Sequence, residues 1–215
     1  MILTHLLFPP KCVLCRRVLD RAETDLCHTC RAEAPAGPVS KHPLSFLDSR
    51  VAIWYYEGYP RQSILRYKFQ GMRHYASAYG RLLAMKIQET YPEGFDLLTW
   101  VPVSPIRRFT RGYDQVELLA KAVGRELGMK PVRTLRKIRH NRAQSGISDA
   151  AQRQANVQGA YRMQKGIHLA GKRILLLDDV ITTGATAGEC AGVLVRAGAK
   201  EVHCGCLAAA HHDHQ

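Results

Sequence analysis

Hydrophobic positions fall into two regimes along the 215-residue chain. The first forty or so residues hold Pro9, Pro10, Pro35 and Pro38 with few large apolar side chains, too little to close a core alone. From Arg50 onward, apolar runs and helix-period segments alternate. Arg50–Glu57 (R-V-A-I-W-Y-Y-E) is rich in β-formers and predicts a strand. Tyr59–Phe69 spaces Ile64, Leu65 and Phe69 as a helix ending at Gly71, and Ala76–Tyr91 predicts a second helix closed by Pro92. Phe95–Val103 is nearly continuous in apolar residues, as expected of a parallel strand covered on both faces. Val116–Leu127 reads as an amphipathic helix stopped by Gly128. Arg136–Arg153 lacks periodicity and predicts a long loop of the kind that often serves as a lid. Val157–Met163 and Arg173–Asp178 predict strands, followed by a helix over Ala187–Ala197 and a strand over Glu201–Ala208.

Such alternation implies an α/β domain with a mainly parallel sheet flanked by helices, its ligands gathered at the strand C-terminal ends. The composition shift divides the chain into a small module at 1–43 and the α/β domain at 44–215.

The chemistry concentrates in Ile174–Thr186. An apolar run delivers Asp178 and Asp179 to a strand end, and Thr182, Thr183, Gly184, Ala185 and Thr186 then open a helix. Hydroxyls and N–H groups at a helix N-terminus make a phosphate cradle. The two acids beside it suit sugar hydroxyls or a hydrated cation. Leu175–Asp179 would pass as a Walker B strand, but the chain has no G-x-x-x-x-G-K-[ST] to partner it.

Cys12-x2-Cys15 and Cys27-x2-Cys30, eleven residues apart, have the spacing of a four-thiolate structural Zn2+ site. A metal can supply on the order of 10 kcal/mol of apparent folding free energy to so small a module. His28 is left over from a filled tetrahedral shell and is expected to be exposed. Cys190, Cys204 and Cys206 read as small buried hydrophobes.

The formal charge of +13 points to polyanionic partners, nucleic acid or pyrophosphate esters. Ser104, Arg107, Arg108 and Arg111 follow a strand and a proline, the composition of an anion-binding loop. Trp54, Tyr55, Tyr56 and Tyr113 offer stacking surfaces, with core packing as the competing role for those in the first strand. Apolar runs fall short of a membrane span, and Met1–Phe8 lacks the features of a signal peptide, so no membrane insertion and a cytoplasmic setting are expected.

Ile174–Thr186 resembles the phosphoribosyl-pyrophosphate (PRPP) signature of type I phosphoribosyltransferases. A wider ordered set resembles the ComF family, known from bacterial DNA uptake in natural transformation. It comprises Phe8-Pro-Pro-x-Cys12-x2-Cys15, Lys68-x2-Gly71, Arg111-Gly112-Tyr113-Asp114-Gln115, and Gln144 with Arg153-x2-Asn156-Val157-x-Gly159-Ala160. The resemblance implies a type I phosphoribosyltransferase-like domain behind a zinc ribbon. Asp178 and Asp179 would be catalytic through the ribose, and Thr182–Thr186 would take the 5′-phosphate. Ser104, Arg107 and Arg108 would face pyrophosphate with Mg2+, and the flexible segment with Arg139, Gln144 and Arg153 would close over them. Three readings stay open: a transferase with an unidentified acceptor, a PRPP or 5′-phosphate binder that holds single-stranded DNA, and a scaffold for a DNA-uptake helicase.

Overall fold

The computed structural model describes residues 9–41, 44–139 and 155–211; Gln144 and Arg153 lie outside them. At the N-terminus, tight turns bring the two cysteine pairs together. A short helix α1 (His28–Glu33) starts at Cys27, whose sulfur accepts the Cys30 N–H at 3.4 Å. The pattern of the sequence had left this helix unannounced. His28 is exposed, as expected.

The sheet is formed by β1 (Val39–Ser40), β2 (Ser49–Tyr55), β3 (Leu97–Trp100), β6 (Arg173–Ile181) and β7 (Glu201–Ala209). Their order is β1-β2-β7-β6-β3, parallel except for the antiparallel β1 edge. β7 and β6 are central and almost wholly buried, because both of their faces are covered. Cys204 and Cys206 are buried there, and Cys190 is buried in the helix that follows β6.

Helices α2 (Gly58–Phe69) and α3 (Tyr75–Thr90) follow β2; α4 (Pro105–Arg111) and α5 (Gln115–Glu126) follow β3; α6 (Ala185–Arg196) follows β6. α3 and α5 pack so closely that a Cβ on Gly80 would come within 2.5 Å of the Ala122 Cβ. Aliphatic side chains of these helices share one core with Val13, Leu14, Leu19 and Leu26 of the N-terminal module.

Five expectations change. The strand expected over Phe95–Val103 is confined to Leu97–Trp100, since the chain leaves the sheet toward Ser104. The expected Arg107 loop is a helix: Pro105 sits in its first turn, and the Ser104 hydroxyl caps it by accepting the Arg107 N–H. The strand expected to stop at Asp178 runs on to Ile181, because Val180 and Ile181 continue to pair with Ala208 and Ala209. The loop expected from Arg136 begins later, since β4 (Leu135–Lys137) pairs with β5 (Tyr161–Met163) as a separate antiparallel ribbon. The strand expected from Val157 is cut to β5 by the left-handed Gly159, at φ 69°.

Candidate functional site

β3 and β6 are adjacent and parallel, with Trp100 opposite Leu177. The segments leaving their C-terminal ends therefore emerge side by side. Between them lies an open cleft of about 740 Å³, lined by Lys68, Arg107, Arg111, Lys137, Asp178 and Asp179 among others. Thr182 and Thr186 line it too, so the acid pair, the hydroxyl-rich turn and two arginines of α4 share a site.

The turn is shaped by Gly184, left-handed at φ 75°, which caps α6 without any side-chain bond. The first N–H groups of α6 lack helical acceptors and are offered to whatever lies in front of them. The Thr183 hydroxyl accepts one of them, from Ala185, at 3.4 Å.

Asp178 and Asp179 are both buried. Lys68 Nζ lies 2.8 Å from Asp179 Oδ1, and the Gln115 side-chain amide donates to Asp179 Oδ2 at 2.8 Å. Burial pushes the Asp179 carboxyl up, but Lys68 and Gln115 more than offset it and hold it below the usual carboxylate range. Among the described residues, Asp178 has no such side-chain partner. Burial, then the charge of Asp179, push it up to about 8, although its carboxylate accepts the Asp179 N–H at 2.8 Å. Lys137, half-buried on β4, sits over the Tyr161 ring, and burial and the neighbouring Arg107 pull its pKa down. The α4 guanidinium of Arg111 is likewise lowered by burial.

Of the expected anion-binding residues, Arg107 faces the cleft. Arg108 is turned toward Glu117, at 3.8 Å, and Ser104 is buried as the α4 cap. Arg139 is exposed at the end of the described segment. Asp114 is spent on capping α5, accepting from the N–H groups of Val116 and Glu117 at 3.0 Å each. Trp54 is buried in the core; Tyr113 is buried but lines the cleft, with the Arg73 guanidinium 4.7 Å from its ring centroid. Lys68, Gln115, Lys137 and Tyr161 escaped functional assignment from sequence. Lys68 and Gln115 stood there only as letters of a motif, since nothing local shows a lysine on α2 meeting an acid on β6.

In the N-terminal module the Cys12, Cys15, Cys27 and Cys30 sulfurs all lie within 4.8 Å of one another, with Cys15 and Cys27 at 3.7 Å. Sulfurs about 2.3 Å from a tetrahedral zinc would stand about 3.8 Å apart, so the donor set fits the ion. Burial alone would raise the Cys27 thiol, yet the Cys30 N–H and the neighbouring thiols bring it down to about 7. Four thiolates leave no open position for chemistry, so the fit is to a structural ion.

Residues 117–215 match the phosphoribosyl transferase domain family, and residues 3–41 match the double zinc ribbon domain family. Fold and site thus define a type I phosphoribosyltransferase-like domain preceded by a zinc ribbon. Competence protein F of Haemophilus influenzae is 27% identical over 89% of this chain and 93% of its own length. The DNA utilization protein YhgH of Escherichia coli K12 is 29% identical over 91% of this chain and 88% of its own. Competence protein ComFC of Streptococcus pneumoniae is 31% identical, over 72% of this chain and 65% of its own. The chain belongs to the ComF family. Among the described residues, no helix is long and apolar enough to cross a membrane.

Proposed function

We propose that the cleft binds PRPP or a closely related phosphorylated ribose. One observation carries the reading: a hydroxyl-lined helix start, a buried acid pair and several cations converge in one cleft. Thr182–Thr186 would hold the 5′-phosphate through hydroxyls and backbone N–H groups. Asp178 and Asp179 would accept the ribose hydroxyls, with Arg107, Arg111 and Lys137 toward the pyrophosphate. In a transfer reaction the bond from C1 to pyrophosphate would break while an acceptor attacks C1. The fixed Asp179 charge would then offset positive charge developing on the ring.

Mg2+ is commonly held by one or two carboxylates together with substrate phosphates. Both Asp179 oxygens already have protein partners, so Asp178, once ionised, would be the carboxylate to share such an ion with the ligand. When bound, it would supply charge stabilisation to the departing pyrophosphate. The acceptor is unassigned.

Titration calorimetry with PRPP, with and without Mg2+, tests the reading. Binding lost in Asp179→Ala and in Thr183→Val is the expected outcome, and no heat with PRPP or ribose 5-phosphate would overturn it. Pyrophosphate release, screened over bases and amines, separates a transferase from a binder.

A second reading, favoured by the α4 surface, is single-stranded DNA across the mouth of the cleft. Phe109 is 89% exposed there among Arg107, Arg108 and Arg111, the mixture of stacking face and cations that suits a single strand. The relatives' names, competence and DNA utilization, support a role in DNA handling. A helicase partner in the cytoplasm would be compatible with either reading. Affinity for an oligonucleotide should fall with a log–log salt slope of about −0.7 per neutralised phosphate, and a flat slope would count against it.

A further inference from the structure

Helix α2 faces two ways. Toward the N-terminal module, the Ser63 hydroxyl donates to the carbonyl of Val13 and the Arg66 guanidinium to the carbonyl of Leu14. Both carbonyls lie in the turn between Cys12 and Cys15. Toward the cleft, the Tyr67 hydroxyl donates to the Gln115 carbonyl at 2.6 Å, while the Tyr67 carbonyl accepts the Tyr113 hydroxyl. Lys68, next in the chain, reaches Asp179, and Gln115 reaches the other oxygen of the same carboxylate.

We infer that Lys68 is a positioning residue for Asp179, and that the first cysteine knuckle fixes Lys68 in place through α2. This rests on the reading of the cleft as a phosphorylated-ribose site.

Two considerations carry it beyond a list of contacts. The side chains of Lys68 and Asp179 are only 16% and 8% exposed, and a largely buried ion pair is a poor source of stability for its own sake. What it does here is geometric: with one oxygen on an ammonium and the other on an amide, the carboxylate has one orientation from which to meet a sugar hydroxyl. A preset acceptor raises affinity because its ordering cost is met before the ligand arrives. Secondly, α2 cannot hold Lys68 there by itself. It has twelve residues, below the length at which an isolated helix persists in water, and its N-cap Glu57 makes no side-chain cap bond. Its placement comes from the residues that grip it. Arg66 serves this joint: among the described residues its Nε is buried without a partner, and its guanidinium donates to the knuckle carbonyl of Leu14. A metal closing the Cys12–Cys15 turn would therefore set the position of Leu14, of Arg66, and two residues later of Lys68.

The test uses full-length, zinc-loaded protein and ribose 5-phosphate without Mg2+, read by titration calorimetry. Lys68→Met should weaken binding about 10-fold, and Lys68→Arg should restore part of it. Arg66→Met should weaken binding several-fold at unchanged zinc content. In the double variant the two effects should not add, because both act through one ammonium. Ser63→Ala, a milder break at the same joint, reads the same coupling should Arg66→Met lose its fold. Coupling of affinities is reciprocal, so at equilibrium saturating ribose 5-phosphate should shift zinc from a competing chelating dye toward the protein in the wild type but not in Lys68→Met. Wild-type affinity in Lys68→Met, additive losses, or equal ligand protection of zinc in both proteins would overturn the inference while leaving the sugar site standing. Absence of ribose 5-phosphate binding by the wild type would overturn both.

Discussion

Asp178 and Asp179 are consecutive on β6, and their surroundings drive their carboxyl groups in opposite directions. Asp179 is kept ionised by Lys68 and Gln115, while Asp178, buried beside that charge, is pushed up to about 8. Two adjacent acids thus differ in how readily they hold a proton: Asp179 is biased toward its anion and Asp178 toward its neutral form. Such a pair can accept from one hydroxyl and exchange donor for acceptor with another.

The asymmetry predicts the pH dependence of stability. Asp178 binds its proton more tightly folded than at its ordinary value of 3.8, so its stabilising contribution is full below that value and fades as pH rises toward about 8. Asp179 is lowered, so its contribution is present above 3.8 and is lost as pH falls through its folded value. Asp178→Asn should remove this decline. Urea midpoints of wild type and variant, compared from about pH 4 to pH 9, should lie closest at the acid end and separate progressively up to about pH 8. Parallel profiles would refute the assignment.

Gly184 makes a sharper prediction about the turn. At φ 75° a side chain is strained, and a Cβ there would overlap the Leu44 side chain. Gly184→Ala should cost about 1–2 kcal/mol of stability and weaken ribose 5-phosphate binding at least about 10-fold. Gly166 is also left-handed, at φ 77°, but has open space around it. Gly166→Ala should show a similar stability loss by thermal unfolding with unchanged affinity, which separates strain from site damage.

Zinc removal should destabilise more than the ribbon. Cys12, Cys27 and Cys30 belong to the same buried cluster as Ile64, Tyr79 and Leu83, and Arg81 of α3 reaches Asp25 at 2.9 Å. Calorimetric scans should show one cooperative transition with one zinc per chain, moving as a whole to lower temperature with chelator. An early ribbon transition followed by an unshifted main one would show that the two parts fold independently.

What could be read in the sequence was local chemistry. The acid pair, the threonine turn and the cysteine spacings each depend on a few consecutive residues, and the parallel sheet follows from alternating periods. The α4 helix was within reach, since Ser104-Pro105 is a start signal, but three arginines invited reading it as a loop. Lys68 and Gln115 were out of reach as functional groups. They meet Asp179 only because β7 and β6 bring α2 and α5 over the same strand end, and register of that kind is not written in any short pattern.

Lys137 offers the last prediction, because its two roles pull apart. It is half-buried beside Arg107, and burial first, then that like charge, depress its pKa. In the free protein its ammonium is therefore a burden. An anion between Lys137 and Arg107 would relieve it, and pyrophosphate is the anion the cleft is proposed to take. Lys137→Met keeps the stem over the Tyr161 ring and discards the charge. The variant should be at least as stable as wild type by thermal unfolding, bind ribose 5-phosphate normally, and lose about 10-fold in PRPP affinity, the trade of stability against function seen at built sites. Equal loss for both ligands would instead place Lys137 at the sugar or in the general fold of the cleft. Unchanged PRPP affinity would move the pyrophosphate end of the site to Arg107 and Arg111 alone.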